Sequence, residues 1–136
     1  MADITFELSF TNFTAIGEQM AREADAVCEE IANKVATDYK LAVMSPPKSG
    51  REYKRGKRTH QASAPGEAPA SDLGNLVNSV VIIHDGLADW SDHVTAEYAL
   101  ALEIGTPKIL PRPAMRPAVE GQRANFTDKL NKIVGN

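Results

Sequence analysis

The strongest constraint on the fold is one change of apolar period near the start of the chain. Residues 3–10 alternate strictly between apolar and polar side chains, which predicts a strand with one buried face. From about Thr14 to Val43 the apolar residues recur every three or four positions instead, which predicts a long helix with a buried stripe. That stripe contains Phe13, Ile16, Met20, Ala24, Val27, Ile31 and Val35.

The second half of the chain supplies partners for these two elements. Residues 80–83 predict a buried strand, and Asp85-Gly86 is a hairpin signal before a less regular strand over 87–95. A short helix over 97–104 is stopped by Gly105, and Pro117 suits the first turn of a last helix. The buried face of that last helix is expected to contain Val119, Phe126, Leu130 and Ile133.

These elements together predict an α+β fold in one domain, residues 1–136. A small antiparallel sheet from 3–10, 79–85 and 87–95 would pack against the long first helix and the last helix. A chain of 136 residues lies within the usual size of one domain.

Residues 46–70 interrupt this pattern, because they hold almost no aliphatic side chain larger than alanine. Pro46-Pro47 ends the first helix, and several glycines and prolines follow. Such a segment cannot form a core of its own, so it predicts a long loop or hairpin.

The same segment concentrates positive charge in a chain whose net charge is −3. Residues 48–58 carry +5, and the remainder of the chain carries −8. The cations are Lys48, Arg51, Lys54, Arg55, Lys57 and Arg58. Three interpretations stay open: a solvated mobile loop, a contact with an acidic surface on a neighbouring subunit, or contact with DNA in a channel.

Motifs for catalysis or metal binding do not stand out, so we expect a protein that is not an enzyme and uses no cofactor and no metal. Cys28 is the single cysteine; it cannot form an internal disulfide, and its place beside Val27 predicts packing. The three histidines lack the spacing of a helical metal pair. No apolar run is long enough to cross a bilayer and the N-terminus does not read as a signal peptide, so we expect the protein to act first in a cytoplasm.

Several ordered motifs resemble a known phage family. They are Ser49-Gly50-Arg51-Glu52-Tyr53, the run from His60 to Leu76 with Pro65-Gly66, Pro69-Ala70, Asp72 and Gly74, then Tyr98-Ala99, Glu103-Ile104-Gly105-Thr106 and Arg112-Pro113. This series, over about residues 49–118, is similar to the tail-component family typified by gene product 10 of the lambdoid phage HK-97. Ala114-Met115 departs from the aromatic or aliphatic pair common there.

The resemblance implies a virion structural protein at the head–tail joint: a neck, tail-completion or tail-terminator protein that forms a ring, expected to be a hexamer. It implies partners among the head-completion and tail-tube proteins, and a location in the virion after assembly in the host cytoplasm. It implies no catalytic residue. Pro65-Gly66 and Gly105-Thr106 would fix turns, and Arg112-Pro113 would present an arginine beside a rigid segment.

A function from another class uses the same charged segment. A stand-alone nucleic-acid-binding module could bind phosphates through residues 48–58, since contacts to phosphate need no sequence readout. The predicted helix after Asp72, which this residue would cap, does not discriminate between the two functions.

Overall fold

The computed structural model describes residues 3–9, 17–45, 48–70 and 74–135. The elements in chain order are β1 (Ile4–Ser9), α1 (Glu18–Met44), β2 (Glu52–Arg55), β3 (Arg58–Gln61), α2 (Asn75–Asn78), β4 (Val80–Gly86), β5 (Asp89–Val94), α3 (Ala99–Ile104) and α4 (Met115–Ile133). This confirms the predicted α+β class. Phe10, Phe13, Thr14, Ile16, Pro46-Pro47 and Asp72, which the predictions used, lie outside the described residues.

The main sheet has the order β1-β5-β4, with both pairs antiparallel. The central strand is therefore β5, where the sequence predicted only a less regular partner. Its segment is polar and low in strand propensity, but pairing on both sides satisfies its backbone and overrides that propensity.

The strand predicted over 80–83 is found within β4, but the prediction that it is buried is wrong for Val81 and Ile83. Val81 and Ile83 are 43% and 40% exposed, because β4 is at the edge of the described sheet and α1 packs on one sheet face only. The turn also lies further on than predicted. Asp85-Gly86 belongs to β4, and Leu87-Ala88 connects the strands.

α1 forms the core against the sheet, and α4 packs along α1. Gln122 donates a hydrogen bond to Asp38 at 3.0 Å, and the Lys129 ammonium lies 2.9 Å from Glu30. Since the higher number on one helix meets the lower number on the other, the two helices are antiparallel. The apolar face predicted for α4 is confirmed in position, although Val119, Phe126, Leu130 and Ile133 are only partly buried. The fully buried side chains of α1 include Cys28, Ile31, Val35, Tyr39 and Val43.

One carboxylate fastens α1 to the β4–β5 turn. Asp25 Oδ1 accepts hydrogen bonds from the Ala88 N–H at 2.7 Å, the Trp90 indole at 3.0 Å and His84 Nε2 at 2.9 Å. Burial alone would raise the pKa of Asp25, but these hydrogen bonds outweigh it and lower the pKa. Ala88 has a φ of 53°, and this left-handed conformation is held by the contact with α1.

Cys28 packs beneath the same turn, as predicted. Its thiol is fully buried and donates to the Ala88 carbonyl at 3.7 Å. Burial raises the pKa of Cys28 to about 11, with further contributions from Asp25 and Asp89. A thiol that stays protonated at neutral pH is a poor nucleophile.

A second carboxylate lies within the core without a hydrogen-bond partner among the described residues. Asp92 is in the middle of β5, opposite Phe6 on β1 and Ile82 on β4, and is fully buried. Burial raises the pKa of Asp92 to about 7, although the charge on Lys40 opposes the shift. Nothing in the sequence pattern marked this position.

Candidate interaction surface

The segment predicted as a loop or hairpin is a hairpin outside the main sheet. We call residues 52–61 the arm, residues 48–51 and 62–68 its root, and the remaining described elements the body. β2 and β3 pair antiparallel with Arg55 opposite Arg58. Gly56 has a φ of 63° at the first position of the two-residue turn, as a type II′ hairpin requires. Neither strand packs extensively on another helix or strand of the described chain.

The root is fixed by backbone contacts that only glycine permits. The Gly50 N–H donates to the Ala62 carbonyl at 2.8 Å, and the Ala62 N–H donates to Arg51 at 3.0 Å. A Cβ on Gly50 would lie 2.6 Å from the Ala62 carbonyl oxygen and closer still to that of Ser63. The two sides of the root therefore approach each other at the limit of contact.

Glu67 is the polar centre of the root. Its carboxylate accepts hydrogen bonds from the Ser49 N–H and hydroxyl and from the Ala64 N–H at 3.1 Å. The hydrogen bond from the Ser49 hydroxyl is the main cause that lowers the pKa of Glu67. This link joins the segment before β2 to the segment after β3, so the orientation of the arm is set at its root.

Pro65-Gly66 fixes a turn in the root, as the resemblance implied. The Glu67 N–H donates to the Ala64 carbonyl at 3.1 Å and Gly66 has a φ of 86°, which matches a type II turn with proline first and glycine second. The Gly66 N–H then donates to the Pro111 carbonyl at 3.0 Å. The root is thereby attached to the segment between α3 and α4.

Of the six predicted contact cations, five lie on the arm or next to it, and the sixth, Lys48, is engaged within the chain. Lys54 and Lys57 are exposed on the arm, and the Arg51 guanidinium lies 5.2 Å from the centre of the Tyr53 ring, a cation–π distance. Arg55 and Arg58 flank the turn at the tip of the arm.

Lys48 differs from the other five cations, because its ammonium is engaged within the chain. It donates to the Ala42 carbonyl at 2.8 Å, near the C-terminus of α1, and to the Ala68 carbonyl at 3.1 Å. Burial lowers the pKa of Lys48, and the charge on Glu67 opposes that shift. A cation at a helix C-terminus stabilises the helix, so Lys48 anchors the root on the body and is left out of the contact surface proposed below.

The second series of motif residues organises the start of α4. The Glu103 carboxylate accepts backbone hydrogen bonds from Ala114 at 3.0 Å, Met115 at 2.8 Å and Arg116 at 3.1 Å. These are N–H groups that a helix leaves unpaired at its first turn, and a negative charge there is favourable. Glu103 is therefore the cap of α4, supplied from α3.

The glycine and threonine after Glu103 shape the next turn, as the resemblance implied. Gly105 closes α3 with a φ of 80°, and a Cβ there would lie 2.9 Å from both the Ile109 carbonyl oxygen and Pro111. The Thr106 hydroxyl accepts from the N–H groups of Lys108 and Ile109 at 3.2 and 3.1 Å.

The other motif residues have structural positions. Tyr98 precedes α3 and is half exposed, and Gly74 precedes α2 with a φ of 79°. The Arg112 N–H donates to the Leu102 carbonyl at 2.6 Å, and Pro113 lies just before α4. The Arg112 side chain is partly buried, and its Nε lacks a hydrogen-bond partner among the described residues.

A polar network crosses the sheet face opposite α1. The Ser91 hydroxyl donates to Asp85 at 2.7 Å and lies 2.8 Å from His93 Nε2, and His93 Nδ1 lies 3.3 Å from the Thr5 hydroxyl. In a Ser-His-Asp triad the carboxylate orients the histidine. Here the carboxylate accepts from the serine, so the order needed to activate a nucleophile is not present.

Two general features of the described residues bear on function. No group of three or more His, Cys, Asp or Glu in residues 3–9, 17–45, 48–70 and 74–135 is placed to hold a metal ion. Across those same ranges, no helix is both long enough and apolar enough to span a membrane.

Sequence reasoning identified the arm, its cations and its turns, but it missed Glu67 and Asp25, and it did not find the capping role of Glu103. Each of these carboxylates binds at least one backbone N–H group more than ten residues away, at Ser49 for Glu67, Ala88 for Asp25 and Ala114 for Glu103. Such contacts leave no local spacing signal. Comparison of the chain with protein-family models, curated proteins and solved structures finds no match.

Proposed function

We propose that the chain is a structural protein of a tailed-phage virion that forms a ring of identical copies at the head–tail joint. In this proposal the arm contacts an acidic surface of the neighbouring copy. The observation that carries the proposal is the arm itself, a cationic hairpin with a fixed root that lies outside the packed body.

Charge supports an external partner for the arm. Among its described side chains, Lys54 and Lys57 are exposed and none of the ion pairs found in the structure involves them. Cations next to one another repel, so this concentration gains nothing from folding and stabilises an assembly only when an anionic surface is brought to it.

The test is assembly of the phage that encodes the chain. Alanine at Lys54, Arg55, Lys57 and Arg58 should leave filled heads and finished tails unjoined, as counted by electron microscopy. A matched control has alanine at four exposed or half-exposed body cations outside the arm, Arg22, Lys34, Arg116 and Lys132, and should give joined particles. Normal infectious particles from the arm variant, or from a phage lacking the protein, would contradict the proposal.

The alternative is a stand-alone nucleic-acid-binding module, which the exposed lysines and the half-exposed Tyr53 favour. Binding through about five phosphate contacts should weaken with salt at a log–log slope of roughly −4 to −5. A monomer with that slope, measured by fluorescence anisotropy on duplex DNA, would favour this module over the ring.

A further inference from the structure

Three large aliphatic side chains are exposed together where α3 meets the following turn. Ile104 and Leu110 are each 65% exposed and Ile109 is 39% exposed. We call residues 104–110 the aliphatic loop. Single exposed apolar residues are ordinary, but a group of them on one loop indicates an interaction site.

The aliphatic loop is held rigid by its own hydrogen bonds. Thr106 and Ile109 exchange backbone hydrogen bonds at 2.8 and 3.2 Å, and the Gly105 N–H donates to Ala101 at 2.9 Å. The backbone that carries these side chains is therefore ordered before any partner arrives. A preorganised loop loses little conformational entropy on binding.

The same chain has an unfilled apolar groove between β1 and α4. A cavity of about 170 Å³ there is lined by five apolar and two polar residues: Phe6, Leu8, Ile31, Val119, Phe126, Gln122 and Arg123. Small-ligand sites usually measure roughly 300–1,000 Å³, so this cavity is small for a cofactor. An apolar cavity of about 150 Å³ holds a benzene molecule, so an aliphatic side chain fits. None of the three exposed side chains of the loop lines it.

The molecule carries opposite charge near the two ends of α1, and this distinguishes the end with the loop from the end with the groove. The root meets α1 at Ala42 and is attached to the loop segment at Pro111. The groove meets α1 at Ile31, about 16 Å back along the helix axis. Residues 18–30, beyond the groove, carry −4 by sequence, and the Lys129 ammonium at Glu30 offsets part of this charge, whereas residues 48–61 carry +5. The basic end of one copy, which carries the arm, therefore attracts the acidic N-terminal part of α1 in a second copy.

We propose that the apolar groove of one copy receives the aliphatic loop of a second copy, with Leu110 as the inserted side chain. The interface joins two different surfaces, so it is head-to-tail and propagates to a ring or a filament. It rests on the proposed function, because it names the second attachment through which copies associate beside the arm.

Site-specific cross-linking tests this pairing. Chains with Leu110→Cys are mixed with chains with Phe126→Cys and oxidised, since the native Cys28 is buried. Cross-linked dimers should form in the mixture and be absent from either chain alone. Leu87→Cys, on the exposed β4–β5 turn, replaces Leu110→Cys in the control mixture and should give no cross-link.

Sedimentation equilibrium gives the second readout. Leu110→Ser should weaken self-association at least tenfold, because an apolar side chain leaves its site, while Leu87→Ser should change it less than twofold. A chain that stays monomeric at millimolar concentration, or dimers that form without the Leu110–Phe126 cross-link, would overturn this pairing. If self-association is lost in the arm variants but not in Leu110→Ser, the pairing of groove and loop is overturned and the proposed function stands.

Discussion

The body and the arm are held in shape by different kinds of contact. In the body, buried apolar side chains pack around α1, and the carboxylates of Asp25 and Glu103 bind backbone N–H groups on other elements. The strands of the arm pair with each other and neither packs extensively on another described helix or strand, and the orientation of the arm depends on Glu67 and Gly50 in the root. The difference indicates that stability belongs mainly to the body, whereas Lys54 and Lys57 on the arm are exposed and available to a partner.

The largest effect that we expect lies in the body, at Asp92. Its folded pKa of about 7 is above its ordinary value of 3.8, so the folded state binds more protons between these pH values. Stability should therefore fall as pH rises from about 4 to 7, by on the order of 3–4 kcal/mol in total. Urea unfolding over that range should show the fall in the wild type and lose most of it in Asp92→Asn.

Asp25 provides the control of opposite sign. Its pKa is lowered, so its contribution to stability is present above the ordinary pKa of a free carboxylate and is lost as pH falls through the folded value. Asp25→Asn should therefore cost stability at pH 7, and this cost should shrink as the pH is lowered through the folded pKa of Asp25. The raised pKa of Asp92 would be contradicted by one result in particular. That result is a free energy of unfolding that rises between pH 4 and 7 by the same amount in the wild type and in Asp92→Asn.

A smaller effect is expected at Glu103, which connects two helices of the body. Glu103→Ala removes the acceptor for three N–H groups of α4, and should lower the free energy of unfolding by about 2 kcal/mol. Glu120→Ala is the matched control, because its pair with Arg123 lies on the surface and should contribute little to stability. An equal loss of unfolding free energy in the two variants would contradict the capping role of Glu103.

Substitution of Gly50 distinguishes the stability of the arm from the stability of the body most directly. The Cβ in Gly50→Ala meets backbone oxygens in the root, so amide exchange over residues 49–64 should accelerate about tenfold. The free energy of unfolding of the body should fall by less than about 1 kcal/mol, since regions of one protein open independently. Gly121→Ala, with open space around it in α4, should instead stabilise the body by up to about 1 kcal/mol without altering exchange in the arm.

The smallest effect should come from the arm lysines. Lys54→Ala combined with Lys57→Ala should change the melting free energy of the isolated chain by less than about 0.5 kcal/mol. Calorimetry on the dilute protein measures this. A loss above 2 kcal/mol would mean that the arm contributes to the fold, which would abolish the distinction between the two regions.

The sequence was informative wherever a structure depends on neighbouring residues. The period of α1, the stop at Gly105 and the position of Pro117 in the first turn of α4 all follow from local rules, and the Pro65-Gly66 turn was implied by the family resemblance. Exposure of Val81 and Ile83 did not follow, because it depends on which strand occupies the centre of the sheet. Strand order is set by contacts distant in the chain, which no local pattern records.

The candidate surface was foreseeable in part for the same reason. A run of cations in a segment without a core predicts an exposed arm, and the arm is found. The internal role of Lys48 was not foreseeable, because its acceptors at Ala42 and Ala68 are brought together only by the folded root. Charge counts record where cations occur along the chain, and only folding decides which of them remain available.

The hydrogen bond from Gly66 to Pro111 gives the arm and the aliphatic loop one common base. In the proposed assembly, two weak attachments on one base act as a bivalent ligand: once the first is seated, the second is presented to its site at a high effective concentration. Neither attachment then needs to be tight by itself. Copies could dissociate and correct an error while only one attachment is engaged, and become long-lived when both are.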